Sequence, residues 1–362
     1  MSISRFLPVL LAVLVAGCPR PQPIVFPPLH PASAGEDSAV TPLPPTASRT
    51  TATETAEPAS PASTPDPGAA ATGTAAAPAA TAPSSSWPDY RVPTLPMDLV
   101  LHRGTLVWAD LAGAIWMMPA DGSGPPKQVT EQHKDGFAAR PFVAGDRVIA
   151  KCGNGLLAIE VPGGAVTHIR VTGAPDLIEN VIGDGSTIFF SVFNHDQILR
   201  VPVTGGAAQQ VLEAKTGVLA VDGSTLFVAS YDTGDLFAVP TAGGAPRTIA
   251  TKLNHATALA ADGDAVYLYT EGDQRISRVE LATGATRVVG EHLVNSDEVE
   301  LATDAIYTVS WPNKLVRLPR APGPAPATMS DKLFQPRGVV HDDQFVYVTS
   351  DQPPRIVRVP AR

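Results

Sequence analysis

An apolar, β-branched or aromatic segment recurs seven times along the chain. The copies begin at Leu106 (LVWAD), Val148 (VIAKC), Ile188 (IFFSV), Leu226 (LFVAS), Val266 (VYLYT), Ile306 (IYTVS) and Val346 (VYVTS). Their spacing is about 40 residues, the period of a four-stranded propeller blade. A second segment follows each copy: AIWMMP, LLAIEVP, ILRVPV, LFAVP, ISRVEL, LVRLP and IVRVP. These alternate apolar and polar residues, as half-buried strands do. A short strand follows several of them (VTHIR, AQQVL, PRTIAT, TRVVG), and another lies upstream (VLAV, ALAA, GVVH). The pattern predicts an all-β chain, a seven-bladed β-propeller with four-stranded antiparallel blades.

The turn chemistry agrees. Asp184-Gly185, Asp222-Gly223, Asp262-Gly263 and Gly145-Asp146 precede the recurring segments. Asp-Gly pairs favour type I′ hairpin turns. Gly163-Gly164, Gly205-Gly206, Gly243-Gly244 and Gly284 mark the next hairpins. The innermost strands are expected to be small, as Gly217–Ala220 and Ala258–Ala261 are, because little room exists near the axis. The last repeat has strands at Gly338–His341, Phe345–Ser350 and Ile356–Pro360 but no fourth. Asp89-Tyr90-Arg91-Val92-Pro93 resembles the fourth strands PRTIAT and TRVVG. Residues near 88–93 are therefore expected to close the last blade, which removes an exposed sheet edge.

The domain is expected to span residues 87–362. Ahead of it, residues 18–86 are almost entirely Pro, Ala, Thr, Ser and Gly. Such a segment buries too little apolar surface to offset its ordering entropy, and is read as a disordered tether. A flexible coil of about 66 residues spans roughly 45 Å. Residues 1–17 form a targeting segment. Arg5 supplies the positive charge and Phe6 to Ala16 an apolar run too short for a stable transmembrane helix. The run ends Val15-Ala16-Gly17-Cys18, and over residues 1–18 the chain resembles bacterial lipoprotein signal peptides. The resemblance implies cleavage after Gly17, lipidation of Cys18, and membrane attachment through acyl chains. Pro19 follows the cysteine where Asp would signal retention, which implies an outer-membrane lipoprotein of the cell envelope, periplasmic or surface-facing.

Charge and cysteine content exclude several classes. The net charge is −9, and no basic stripe marks a nucleic-acid surface. Cys18 and Cys152 are the two cysteines, so neither a disulfide framework nor a cysteine metal site is present. Cys152 reads as an inert strand-end thiol. A monomer is expected.

In propellers, the loops entering each blade and those between its middle strands share one face, which commonly binds ligands. The first set supplies Asp135, Arg140, Glu179, Asn180, Asn254, His255, Asn295, Asp297, Glu298, Gln335 and Arg337. The second supplies Asp110, Asn194, His195, Asp196, Tyr231, Asp232, Asp273, Trp311 and Asn313. Tyr231 and Trp311 suit contact with an envelope protein or glycan. His133, His255 and His292 lack the spacing of a zinc site. No GxSxG elbow or phosphate loop stands in a suitable context.

Segments such as LVWADLAGAIWMMPADGSG and LFVASYDTGDLFAVPTAGGAPRTIAT resemble repeats of the YWTD and NHL-type propellers. The resemblance covers residues 97–362 and implies the fold. YWTD propellers have six blades where this chain has seven repeats, so no ligand carries over. Glu179, Asn180, Asn254 and Glu298 also resemble the calcium ligands of lactonase-type propellers, which implies a calcium-dependent hydrolase as the alternative. The leading expectation is a non-enzymatic binding or scaffolding module with no cofactor. A purely structural envelope protein is the third reading.

Overall fold

The computed structural model describes residues 89–131, 141–152, 155–174, 178–192, 195–214 and 217–361. The leader, the tether, Cys18, His133, Asp135, Arg140 and Asn194 lie outside these residues. So does the side chain of Cys152, which ends a strand of the second blade.

Seven four-stranded antiparallel sheets follow one another in chain order. Blade 1 runs Pro96–His102, Thr105–Asp110, Ile115–Pro119 and Lys127–Gln128. Blade 4 runs Gly217–Asp222, Thr225–Ser230, Leu236–Pro240 and Arg247–Ala250. Blade 6 begins with an inner strand of two residues, Glu300–Leu301. Innermost strands of successive blades touch, and that of blade 7 touches that of blade 1, which makes the array a ring.

The core explains why the recurring segments are apolar throughout. Each second strand is sandwiched between two blades, so both of its faces are covered. Ala265–Thr270 and Ala305–Ser310 are buried at every residue. The large buried side chains form seven clusters, one between each pair of neighbours. Every blade thus stabilises two interfaces, whereas an end unit of an open array has one.

Closure follows the expected route. Asp89–Arg91 pairs antiparallel with Arg355–Val357 as the outer strand of blade 7. Arg355 Nη1 meets Asp89 Oδ2 at 2.6 Å, and the Val92 amide donates to the Pro354 carbonyl at 3.1 Å. Tyr90 packs on the cluster holding Trp108, Met118, Tyr347 and Ile356, and donates its hydroxyl to the Ala120 carbonyl at 2.9 Å. The inner edge has its own seam. The Gly338 amide donates to the Met97 carbonyl at 3.0 Å, and the buried Thr349 hydroxyl accepts from the same amide at 3.0 Å.

The turns differ from the expected type. Asp222 and Asp262 are the last paired strand residues, opposite Thr225 and Ala265. Gly223 and Gly263 therefore take the first central position, with φ of 54° and 57°, and the residue after each has no positive φ. Positive φ at that position alone is the type II′ pattern. It suits the strand twist as I′ does but needs only one glycine. A feature the repeats gave no sign of joins blades 2 and 3: Val171–Thr172 pairs parallel with Gly206–Ala207.

Blades 6 and 7 meet inside the ring through a titratable pair. His341 Nδ1 lies 2.8 Å from Glu300 Oε1, with the Tyr307 ring 5.5 Å away. The Glu300 hydrogen bond holds the imidazole above its ordinary pKa against the opposing effect of burial, and the charges of Glu300, Asp342 and Asp343 add to it. A raised folded-state value stabilises the fold fully below about pH 6.5, and that contribution is lost as pH rises through the raised value. Glu300→Gln is expected to lower the thermal midpoint at pH 5.5 and to leave it nearly unchanged at pH 9. Equal losses at both values would show that the pair carries no such linkage.

Candidate functional site

Loops entering blades 5, 6 and 7 share one construction. Leu253, Leu293 and Leu333 are buried at the same repeat position. Two residues on, His255, Asn295 and Gln335 take φ of 58°, 45° and 44°. An L-residue in this left-handed region costs roughly 1–2 kcal/mol. The bend is fixed by backbone bonds on either side. The Trp311 amide donates to the Val294 carbonyl at 2.8 Å and the Asp351 amide to the Phe334 carbonyl at 2.8 Å. Each entering loop thereby braces the loop between the middle strands of its own blade. The chain then reaches the channel mouth at Asp297 and Glu298 in blade 6 and at Arg337 in blade 7.

There the structure brings together five of the residues expected from sequence. Asn295, Asp297, Glu298, Trp311 and Arg337 line one hollow of about 180 Å³, with Met97 and Asp98. The Arg337 guanidinium sits 5.0 Å over the Trp311 ring, a cation–π distance. Trp311 Nε1 donates to the Pro336 carbonyl at 2.9 Å, which fixes the ring plane. Behind Arg337 lies the buried Asp351, whose Oδ2 is 3.7 Å from Arg337 Nε. Burial raises the Asp351 carboxyl above the usual carboxylate range, and Arg337 pulls it back.

Asn180, Asp297 and Glu298 line a second hollow of about 80 Å³ with inner-strand residues of blades 4 and 5. The Asn180 amide already donates to the Gly217 carbonyl at 3.0 Å. The other two members of the proposed calcium set stand elsewhere. Asn254 Nδ2 donates to Asp273 Oδ1 at 3.1 Å, and neither Asn254 nor Glu179 lines these hollows. Glu179 faces Lys151, whose ammonium burial pulls below its ordinary value while the Glu179 charge raises it. Among the described residues no group of three or more His, Cys, Asp or Glu is placed to hold a metal ion.

Tyr231 and His255 meet across blades 4 and 5. Their rings stack with centroids 4.5 Å apart and an interplanar angle of 12°. The Tyr231 hydroxyl donates to Glu271 Oε2 at 3.3 Å, and the Glu271 charge raises the phenol above its ordinary pKa. The pair is an exposed aromatic shelf. Asp110 has a different part. It is fully buried, accepting from the Ala114 amide at 2.8 Å and from Trp116 Nε1 at 2.9 Å, so it shapes a turn.

Sequence reasoning missed Asp98 and Glu271. Asp98 stands directly before the core residue Leu99, as Asn180 stands before Val181 and Glu298 before Val299. Aligning the innermost strands of all repeats would have found it. Glu271 became relevant only through its contact with Tyr231.

The fold and this face define a seven-bladed propeller with an aromatic and acidic channel mouth. No protein-family model matches the chain, and no curated protein matches it in sequence. Among solved structures it is similar to virginiamycin B lyase from Staphylococcus aureus, with a TM-score of 0.63 at 13% identity over 74% of this chain and 96% of that one. It is also similar to the computationally designed Ika8 protein, with a TM-score of 0.54 at 11% identity over 72% of this chain and 82% of that one. At such identities the likeness is one of fold.

Proposed function

We propose that the chain is a lipid-anchored propeller of the cell envelope, held to the outer membrane through Cys18, that acts as a non-enzymatic binding module for an envelope protein or glycan. A propeller serves binding and scaffolding in general. The convergence of Trp311, Arg337, Asp297 and Glu298 on one hollow supports placing the binding site at the loop face. Large aromatic groups held by neighbours lose little entropy on contact, which favours binding. The leader and tether support the location.

The test uses envelope material from the source cell. Immobilised chain is expected to retain envelope components, and Trp311→Ala or Tyr231→Ala to cut retention by about tenfold, as loss of an aromatic anchor does. Cys18→Ser is expected to move the protein from the membrane to the aqueous fraction. Equal retention by all variants would remove the site from the loop face. A blank with the unaltered chain would end the binding reading.

A further inference from the structure

The hollow between blades 1, 6 and 7 restricts its occupant by size and by the kinds of group in its wall. Its volume, about 180 Å³, is many times what one water needs and lies below the roughly 300–1,000 Å³ of sites that enclose drug-sized molecules. One ring fits, and the rest of a longer ligand stays outside. Trp311 supplies an aromatic wall, its plane fixed by the bond from Nε1 to the Pro336 carbonyl at 2.9 Å. Polar groups of both kinds stand beside it. The Asp297 carboxylate is an acceptor, the Arg337 guanidinium a donor, and the Asn295 amide both. Arg337 pairs with the buried Asp351 through Nε, and a guanidinium carries further N–H donors on its terminal nitrogens.

Charge narrows the class. Asp98 and Glu298 also line the hollow, but both already have partners within the protein, so they exert no unmatched pull on a cation. An anion would meet the carboxylates of Asp98, Asp297 and Glu298, while the guanidinium in the wall is already paired with Asp351. A neutral ligand suits this wall. Hydroxyl groups match its mixture of donors and acceptors, since each hydroxyl both donates and accepts. A pyranose ring carries hydroxyls at its edge and C–H bonds on its face, and such a face packs on the negative face of an aromatic ring. A second aromatic group stands at the rim. Phe334 is 38% exposed, and the Gln335 amide donates to the Pro312 carbonyl at 2.8 Å, which holds it beside the Trp311 loop. The hollow among the first hairpin turns of blades 2, 3 and 4 has no such wall. It is lined by valines, glycines, Asp184 and Asp222, and both aspartates accept turn amides.

Resting on the binding-module reading above, we propose that this hollow takes one neutral pyranose unit of a glycan. The C–H face of the sugar packs against Trp311. Its hydroxyls donate to Asp297, accept from Arg337 and exchange bonds with Asn295. The next unit of the chain leaves over Phe334. These groups sit on loops that the backbone bonds already fix, so little freedom is lost on binding.

Ligand-observed magnetic resonance on the full chain tests this with the methyl glycosides of glucose, galactose, mannose and N-acetylglucosamine. Saturable binding of at least one is expected, with magnetisation transfer strongest to the protons of its C–H face. The uronide of the same ring, which adds a carboxylate, is expected to bind about tenfold more weakly at about 20 mM salt, with a smaller gap at about 500 mM. Asp297→Ala is expected to weaken the neutral glycoside about tenfold. Asp297→Asn is expected to weaken it by no more than about threefold, because an amide oxygen still accepts from a hydroxyl. Neither change is expected to move the melting temperature. Trp311→Ala is expected to abolish saturable binding and Trp311→Phe to keep part of it. No saturable binding by any of the four glycosides overturns the assignment. Undiminished binding in Asp297→Ala or Trp311→Ala, or a uronide bound as tightly as its neutral counterpart, also overturns it. Envelope retention measured in parallel separates the two readings. Protease-treated envelope is expected to be retained as well as untreated envelope. Retention lost with the protein ends only this assignment, since the partner is then a protein, whereas no retention of either by the unaltered chain ends the broader one.

Discussion

A chain beginning at Leu95 is expected to lose about 5 kcal/mol of stability and to aggregate, while a chain beginning at Trp87 keeps both its stability and its dispersion. The shorter chain lacks Asp89–Arg91, the outer strand of blade 7. It also lacks Tyr90, which packs against Trp108, Met118 and Tyr347, and the buried Val92. Deleting one large aromatic group from a core costs about 3–5 kcal/mol, and Val92 adds to that. Arg355 would lose its partner Asp89, and the third strand of blade 7 would become an open edge. Such an edge is a template for pairing with a second chain. Total stabilities of natural domains lie near 5–15 kcal/mol, so a loss of this size is a large share. Urea denaturation with light scattering checks it. Equal midpoints for the two chains would mean that the strand contributes nothing to closure.

Gly338→Val tests the inner edge of the same seam. A Cβ at this position would lie 2.8 Å from the Leu99 amide nitrogen and 2.8 Å from the Met97 carbonyl oxygen. Both are backbone atoms of blade 1, which cannot rotate aside as a side-chain tip could. The substitution must push blade 7 away from blade 1 or break the bond from the Gly338 amide to Met97. The expected cost is about 3 kcal/mol or more, at the upper end for overpacking. Gly163→Ala serves as the reference, since nothing lies within 4 Å of a Cβ there and its φ is not positive. A thermal midpoint for Gly338→Val no lower than that of Gly163→Ala would show that the two blades yield freely.

Most of the ring was legible because its physics is local. Burial on both faces makes the second strands uniformly apolar, and seven such runs count the blades. The closing strand was legible from its likeness to other outer strands. What could not be read depends on distance in the chain. Tyr231 and His255 lie in different blades, and nothing local reports their stacking. Trp311 and Arg337 were both candidates, but they lie in different blades, and nothing local reports their contact. Asp98 was hidden for another reason. The innermost strand of blade 1 follows the closing strand, with no preceding blade to set its alignment. Asp110 looked like a ligand because a turn aspartate and a binding aspartate share one sequence signature, and only its burial separates them.

The closing strand has a mechanical consequence. Any tension applied to the chain upstream of Asp89 enters the ring at its outermost strand. Three residue pairs, Asp89 with Val357, Tyr90 with Ile356 and Arg91 with Arg355, bear that load first. The other six blades are shielded until these pairs give way. A pull on the chain ahead of Asp89 would therefore open the propeller at blade 7 and part the walls shared by Trp311, Arg337 and Asp98. Force applied there would then dismantle the hollow before it reached the rest of the ring.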